Sequence, residues 1–183
     1  MIEFSLNKTK IQLDFSFFAV LAFCFFLDSN NILLMSFAAC VIHETGHLIT
    51  MLIFRVDIKS LYFYGAGIKL GSCIRYTGFQ RKIIILLAGS SANLMVCAFA
   101  FYSNCHTFAA INLVIGVFNL LSIGDLDGRQ IISAVSDQYQ LTAILTKIAD
   151  FMSYVLVLFV SLFYGDSIGI TFYLTLLYMF LIR

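Results

Sequence analysis

Residues 41–49 read Val-Ile-His-Glu-Thr-Gly-His-Leu-Ile and lie inside an apolar run from Asn31 to Phe54. A run of this length can cross a bilayer as a helix, which takes about 20 residues. On such a helix His43 and His47 are four positions apart and project from one face, so both imidazoles can bind one metal ion. Glu44 is offset by about 100°. That offset suits a residue that activates a water next to the metal better than a third ligand.

The same five-residue pattern also arises by chance on soluble helices that bind no metal. Inside a membrane span this alternative weakens, because a charged side chain there costs about 2.5–3.5 kcal/mol and buried polar groups need partners. The apolar setting therefore favours a functional metal site.

The composition is that of an integral membrane protein, since 61% of the 183 residues are hydrophobic and only 11% are charged. The formal net charge of +1 gives no reason to expect nucleic acid as a partner. The five cysteines are scattered without metal-binding spacing, which argues against both a disulfide framework and a thiolate zinc site.

We predict an all-α polytopic membrane protein with six transmembrane helices. The predicted spans are Ile11–Leu27, Asn31–Phe54, Ile83–Phe101, Thr107–Ile123, Asp150–Tyr164 and Ile168–Ile182. This topology places all 11 lysines and arginines on one side, which the positive-inside rule assigns to the cytoplasm. Both termini are then cytoplasmic. We expect the first span to be retained in the protein, because no small-residue cleavage site follows it.

The segment Val56–Phe79 between the second and third spans alternates apolar and polar residues and contains several glycines and aromatic residues. This pattern predicts a small β-hairpin or sheet at the cytoplasmic membrane surface. The alternative is a disordered basic loop held on anionic lipid. Farther along, Arg129–Ile148 mixes apolar and polar residues and predicts an interfacial helix.

A catalytic zinc site usually has three protein ligands, so the two histidines require a third residue. Asp125 and Asp127 are the candidates, because Gly124 and Gly128 would let the helix break there and turn an aspartate back toward the second span. The other two aspartates near predicted inner boundaries, Asp14 and Asp150, are expected to be solvated interfacial charges.

Three motifs together resemble the site-2 protease family of intramembrane zinc metalloproteases. They are His43-Glu44-Thr45-Gly46-His47, then Ala88-Gly89-Ser90-Ser91-Ala92-Asn93, then Asn119-Leu120-Leu121 with Leu126-Asp127-Gly128. The family carries HExGH, A-G-P-x-x-N and N-x-x-P-x-x-x-L-D-G in this order. With its short length and six predicted spans, this chain is most similar to the branch that processes a membrane-tethered sporulation sigma factor in spore-forming bacteria.

The resemblance implies one zinc ion per chain, bound by His43, His47 and Asp127, with Glu44 as general base. Asn93 and Asn119 are the candidates to donate a hydrogen bond to the oxyanion or to position the substrate, and the resemblance favours Asn93 for this role. An interhelical hydrogen bond is the alternative for Asn93. The implied reaction is hydrolysis of a peptide bond in or near a transmembrane segment of a membrane-tethered protein, which the β-segment could bind as an added strand.

The expected setting is the bilayer of a bacterial cytoplasmic membrane. We expect a single domain over residues 1–183 with no PDZ or CBS domain, so a separate membrane protein is a reasonable regulator. Both family prolines are replaced, by Ser90 and Ser122. The alternative function is a non-proteolytic zinc-binding membrane protein, a transporter or a scaffold. A transporter would be expected to carry polar groups in both halves of the membrane, and a scaffold would not need Glu44.

Overall fold

A computed structural model describes residues 1–6, 9–27, 31–64, 67–72, 77–124, 126–139 and 143–163. The described part forms two compact units, Met1–Val117 and a second unit from Phe118 onward. In chain order the elements are β1 (Ile2–Leu6), β2 (Thr9–Leu13), α1 (Phe15–Leu27), α2 (Ile32–Ile53), β3 (Ile58–Tyr64), β4 (Gly67–Ser72), α3 (Phe79–Tyr102), α4 (His106–Asn119), α5 (Asp127–Gln138) and α6 (Ala143–Phe163).

The strands form one sheet in the order β1-β2-β3-β4. The predicted hairpin between the second and third spans is present as β3 and β4, which pair antiparallel. The N-terminal hairpin of β1 and β2 was not predicted, and it joins the sheet through parallel pairing of β2 with β3. The prediction of a mostly helical chain with a small β-hairpin or sheet is confirmed, whereas the start of the first predicted span at Ile11 is wrong, because residues 11–13 extend the sheet and the helix begins at Phe15.

Asp14 connects the sheet to α1. Its backbone N–H donates to the carbonyl of Phe63 at 2.9 Å, and its carboxylate accepts bonds from the backbone N–H of Ser16 at 3.2 Å and the hydroxyl of Tyr62 at 2.9 Å. These bonds, with that of Ser16 the largest, hold the pKa of the Asp14 carboxyl below its usual value. Asp14 therefore has a structural role at this junction, whereas the sequence predicted only a solvated charge.

Two of the described helices, α2 with 22 residues and α3 with 24, are long and apolar enough to cross a membrane. Both present large apolar side chains outward: Ile53 is 70% exposed, Met95 69% and Phe99 74%. Exposed apolar surface along two long helices is expected where lipid covers them. The two helices thus indicate a membrane protein and agree with the second and third predicted spans.

The remaining spans are only partly accounted for. α1 and α4 have 13 and 14 residues, and α6 begins at Ala143, seven positions before the predicted fifth span. The interfacial helix predicted over 129–148 is instead the shorter α5, followed by the start of α6. The sixth predicted span, Ile168–Ile182, lies outside the described residues. That the chain has six membrane spans stays a prediction.

α2 packs along α3 in the first unit through small residues. A Cβ added at Gly46 would lie 2.6 Å from the carbonyl oxygen of Ala88 and 3.0 Å from the Cβ of Ala92. Small residues let two membrane helices approach this closely. The glycine inside the His-Glu-Thr-Gly-His motif is therefore used for packing, and it brings the face of α2 that carries the histidines against α3.

Candidate metal centre

α2 buries one face, on which Ala39, His43, His47 and Met51 recur every fourth position. The two histidines are only 5% and 6% exposed. Their rings lie edge to face with centroids 4.8 Å apart. The predicted pairing of the two imidazoles on one helix face is therefore present in the structure, and α3 covers it.

The ring of His47 is oriented by the backbone of α3. Its Nδ1 lies 2.7 Å from the carbonyl oxygen of Ile85. A carbonyl can only accept, so Nδ1 carries the hydrogen and donates it. In a neutral imidazole the other nitrogen, Nε2, then carries a lone pair.

The ring of His43 is oriented by the amide of Asn93, whose Oδ1 lies 3.0 Å from His43 Nδ1. The Nδ2 of that amide faces two acceptors, the carbonyl of Ala39 and Oδ1 of Asn112, both at 3.0 Å. Asn93 must therefore turn its oxygen toward His43, and Nδ1 of His43 donates. In a neutral ring the Nε2 of His43 then also carries a lone pair.

The two Nε2 atoms lie 3.1 Å apart. With both Nδ1 hydrogens donated elsewhere, two neutral rings place lone pair against lone pair at this distance and have no hydrogen to share. A cation that accepts both lone pairs converts this repulsion into attraction. A pair of imidazole nitrogens that converge in this way, each with its second nitrogen bonded to a carbonyl oxygen, is the usual arrangement of metal-ligating histidines.

Gly89 of α3 makes room for the two rings. A Cβ at this position would lie 2.4 Å from Nε2 of His47 and 2.8 Å from Cε1 of His43. In the sequence Gly89 is only one residue of a motif. Its role as a spacer for the imidazoles depends on the packing of α3 against them, which the sequence does not show.

Glu44 follows His43 on α2 and is half-buried. Asp127 is the first residue of α5 in the second unit and is 8% exposed. Asn119 ends α4 and is half-buried. The other candidate for the third ligand, Asp125, lies outside the described residues.

Two glycines flank Asp127, Gly124 in the turn before it and Gly128 in the first turn of α5. Gly124 has φ 53°, in the left-handed region that favours glycine. A Cβ at Gly128 would lie 2.0 Å from the carbonyl oxygen of Leu120. As the sequence suggested, the glycines let the chain break after α4 and begin a new helix at Asp127.

Asp150 is buried, with 2% exposure, and the prediction of a solvated charge at this position is wrong. Its carboxylate accepts a 2.5 Å bond from the hydroxyl of Ser122 and lies 3.8 Å from the guanidinium of Arg129. The backbone N–H of Ser122 also donates to the hydroxyl of Ser153 at 3.0 Å. These contacts attach the turn before Asp127 to α6.

Ser122 gives a direct test, because the resemblance has a proline at this position. Ser122→Pro removes both the hydroxyl and the N–H, so we expect it to destabilise the protein more than Ser122→Ala, which removes the hydroxyl only. Each lost bond involving a buried charged or polar partner costs about 1–3 kcal/mol. Thermal unfolding in detergent micelles measures the difference.

Ser36→Ala is the matched control, since that hydroxyl bonds to a carbonyl of its own helix. A Ser122→Pro variant as stable as the wild type would contradict the expectation.

Ser90, at the other replaced proline, is different. Its hydroxyl is buried, and no hydrogen-bond partner for it is found among the described residues. Loss of this hydroxyl would therefore break no side-chain hydrogen bond among the described residues.

No family model matches the chain, and no curated protein matches it. A solved structure, the site-2 protease from Methanocaldococcus jannaschii, is similar with a TM-score of 0.65 and 22% sequence identity, over 98% of this chain and 92% of that one. The chain has the fold of a site-2 protease. At 22% identity this likeness shows the fold alone.

Proposed function

We infer that the protein is an intramembrane zinc metalloprotease, which hydrolyses a peptide bond in or near a transmembrane segment of a membrane-tethered protein. The observation that carries this proposal is the pair of Nε2 atoms 3.1 Å apart, with each Nδ1 turned to an oxygen that can only accept. The likeness in fold to a site-2 protease supports it.

His43, His47 and Asp127 are the proposed zinc ligands. All three side chains are buried in the structure. Two imidazoles and a carboxylate are donors that zinc favours, and three protein ligands leave a fourth position open for chemistry. A buried carboxylate also compensates part of the charge of a divalent ion in apolar surroundings.

In this mechanism the chain's own residues move the proton. Bound zinc supplies Lewis acidity, which polarises the scissile carbonyl and makes water a nucleophile near neutral pH. The Glu44 carboxylate takes the proton of the attacking water and returns it to the leaving amine. Its place beside His43 on α2, rotated about 100° from it, lets it act without competing as a ligand.

The substrate must present an extended segment, because a helix hides its carbonyl groups. β4 lies at one edge of the four-stranded sheet, and a substrate segment could add there as a further strand. We place the protein in a bacterial cytoplasmic membrane with both termini in the cytoplasm, in the branch that processes a sporulation sigma factor. A second membrane protein is the proposed regulator.

The experiment compares zinc content and cleavage in wild type and Asp127→Ala, purified in detergent. We expect about one zinc per wild-type chain, as a three-ligand site holds, and cleavage of some members of a panel of tethered single-span substrates. Asp127→Ala should lose both. Asp137→Ala is the matched control, because Asp137 lies on the same helix and is exposed.

The two parts of the proposal fail separately. A wild-type chain without zinc, or an Asp127→Ala variant that keeps its zinc affinity, would overturn the ligand set. A wild-type chain that binds zinc and cleaves no member of the panel would favour the non-proteolytic zinc protein instead.

A further inference from the structure

A chain of buried hydrogen bonds leads from His43 across α3 to α4. Asn93 of α3 and Asn112 of α4 are both 0% exposed. His43 Nδ1 contacts Asn93 Oδ1 at 3.0 Å, Asn93 Nδ2 contacts Asn112 Oδ1 at 3.0 Å, and Asn112 Nδ2 contacts the carbonyl of Phe108 at 2.9 Å. No sequence motif included Asn112, and it makes no direct contact with a histidine in these bonds.

Two backbone carbonyls determine the direction of the whole chain. Phe108 O can only accept, so Asn112 turns its NH₂ toward it and its oxygen toward Asn93. Asn93 then donates its two amide hydrogens to Asn112 Oδ1 and to Ala39 O, the latter at 3.0 Å. Its own oxygen is left for His43. The reverse assignment would set oxygen against oxygen at both carbonyls, at a cost of about 1–3 kcal/mol for each unsatisfied buried group.

We propose that Asn93 and Asn112 are positioning residues that act together to hold His43 in the tautomer with hydrogen on Nδ1 and a lone pair on Nε2. The tautomer of a proposed zinc ligand is thus set by two backbone carbonyls, that of Ala39, which accepts directly from Asn93, and that of Phe108, which acts through Asn112. The inference rests on the proposed zinc site for its purpose, although the hydrogen-bond chain is present without it.

This assignment gives Asn93 a different role from the one that the resemblance implied. An oxyanion donor needs an N–H directed at the reacting carbonyl, and both amide hydrogens of Asn93 are already donated. Asn93 instead accepts from His43. The interhelical hydrogen bond, the alternative considered for Asn93 from the sequence, is present and continues into the site.

The test reads the tautomer directly. The chain has three histidines, so ¹⁵N-labelled imidazoles of the full chain in micelles give few signals, and that of His43 is assigned by its loss in His43→Asn. Before zinc is added, we expect the Nδ1–H pattern at His43 in the wild type. Asn93→Leu and Asn112→Leu should show a mixture of tautomers.

Zinc affinity, measured by competition with a chelator, gives the second readout. We expect it to fall about 10- to 100-fold in Asn93→Leu, as for other groups that orient a metal ligand, and less in Asn112→Leu, where Asn93 keeps its bond to Ala39 O. Asn112→Asp in its protonated form should keep the wild-type tautomer, because one carboxyl oxygen accepts from Asn93 and the other, which carries the hydrogen, donates to the carbonyl of Phe108. This variant also keeps the test open if the leucine variant does not fold.

Thr50→Val is the control for a loss of stability near the site. Its hydroxyl bonds to Gly46 O within α2 at 2.8 Å, so its removal should leave the tautomer and the zinc affinity unchanged. Unchanged tautomer and affinity in a folded Asn112→Leu variant would overturn the relay and leave the zinc site standing. A wild type that shows the Nδ1–H pattern and binds no zinc would support the relay and overturn the proposed function.

Discussion

Glu44→Gln is expected to abolish peptide cleavage while leaving zinc content unchanged. The substitution keeps the size of the side chain and removes the group that accepts the proton of the attacking water. General acid–base catalysis of this kind contributes about 10²- to 10⁴-fold to the rate, so residual cleavage should fall by at least the lower factor. Zinc should stay bound, because Glu44 is rotated away from the face that carries both histidines.

The measurement is the rate of cleavage of a tethered single-span substrate, with metal content determined on the same preparation. Glu3→Gln is the matched control, because Glu3 is the other glutamate of the chain and lies exposed on β1, where it pairs with Lys10 at 3.0 Å. That variant should cleave at the wild-type rate. Near-normal cleavage by Glu44→Gln would remove the catalytic assignment, and loss of zinc would show that Glu44 supports the metal.

Gly89→Ala adds a single methyl group and is expected to cause a large fall in zinc affinity. The new Cβ would lie 2.4 Å from Nε2 of His47, 2.7 Å from its Cε1 and 2.8 Å from Cε1 of His43. These distances are too short for any real contact, so something must move. The rings cannot swing aside freely, because each is held by its Nδ1 bond, one to Ile85 O and one to Asn93.

We therefore expect zinc affinity to fall by at least the roughly 100-fold that loss of a single orienting group can cost, since both histidines are displaced at once. Chelator competition measures the fall. Gly78→Ala, at the start of the same helix, is the control, because a Cβ there meets no atom within 4 Å. Wild-type affinity in Gly89→Ala would mean that α3 does not press against the imidazoles.

The orientation of Asn93 and the role of Asn112 could not be predicted from the sequence. Asn93 stood in a recognisable motif, and its presence near the site could be expected. Its direction could not, because the carbonyls of Ala39 and Phe108 that orient it, the second through Asn112, belong to α2 and α4 and not to α3. Asn112 had no signal in the sequence at all, since one asparagine on an apolar helix looks the same whether it faces lipid or a buried partner.

Local patterns along the chain were sufficient for the features that depend on neighbours in sequence. The helix period explains why His43 and His47 share a face, and the strand period explains the alternation that forms β3 and β4. The apolar lengths of α2 and α3 match the length that a bilayer span needs. Only the tertiary structure decided which distant groups meet: β2 with β3, Asp150 with Ser122, and Gly89 with both imidazoles. A side chain's own periodicity sets the face on which it lies, whereas its partner is chosen by how helices and strands far apart in the chain pack together.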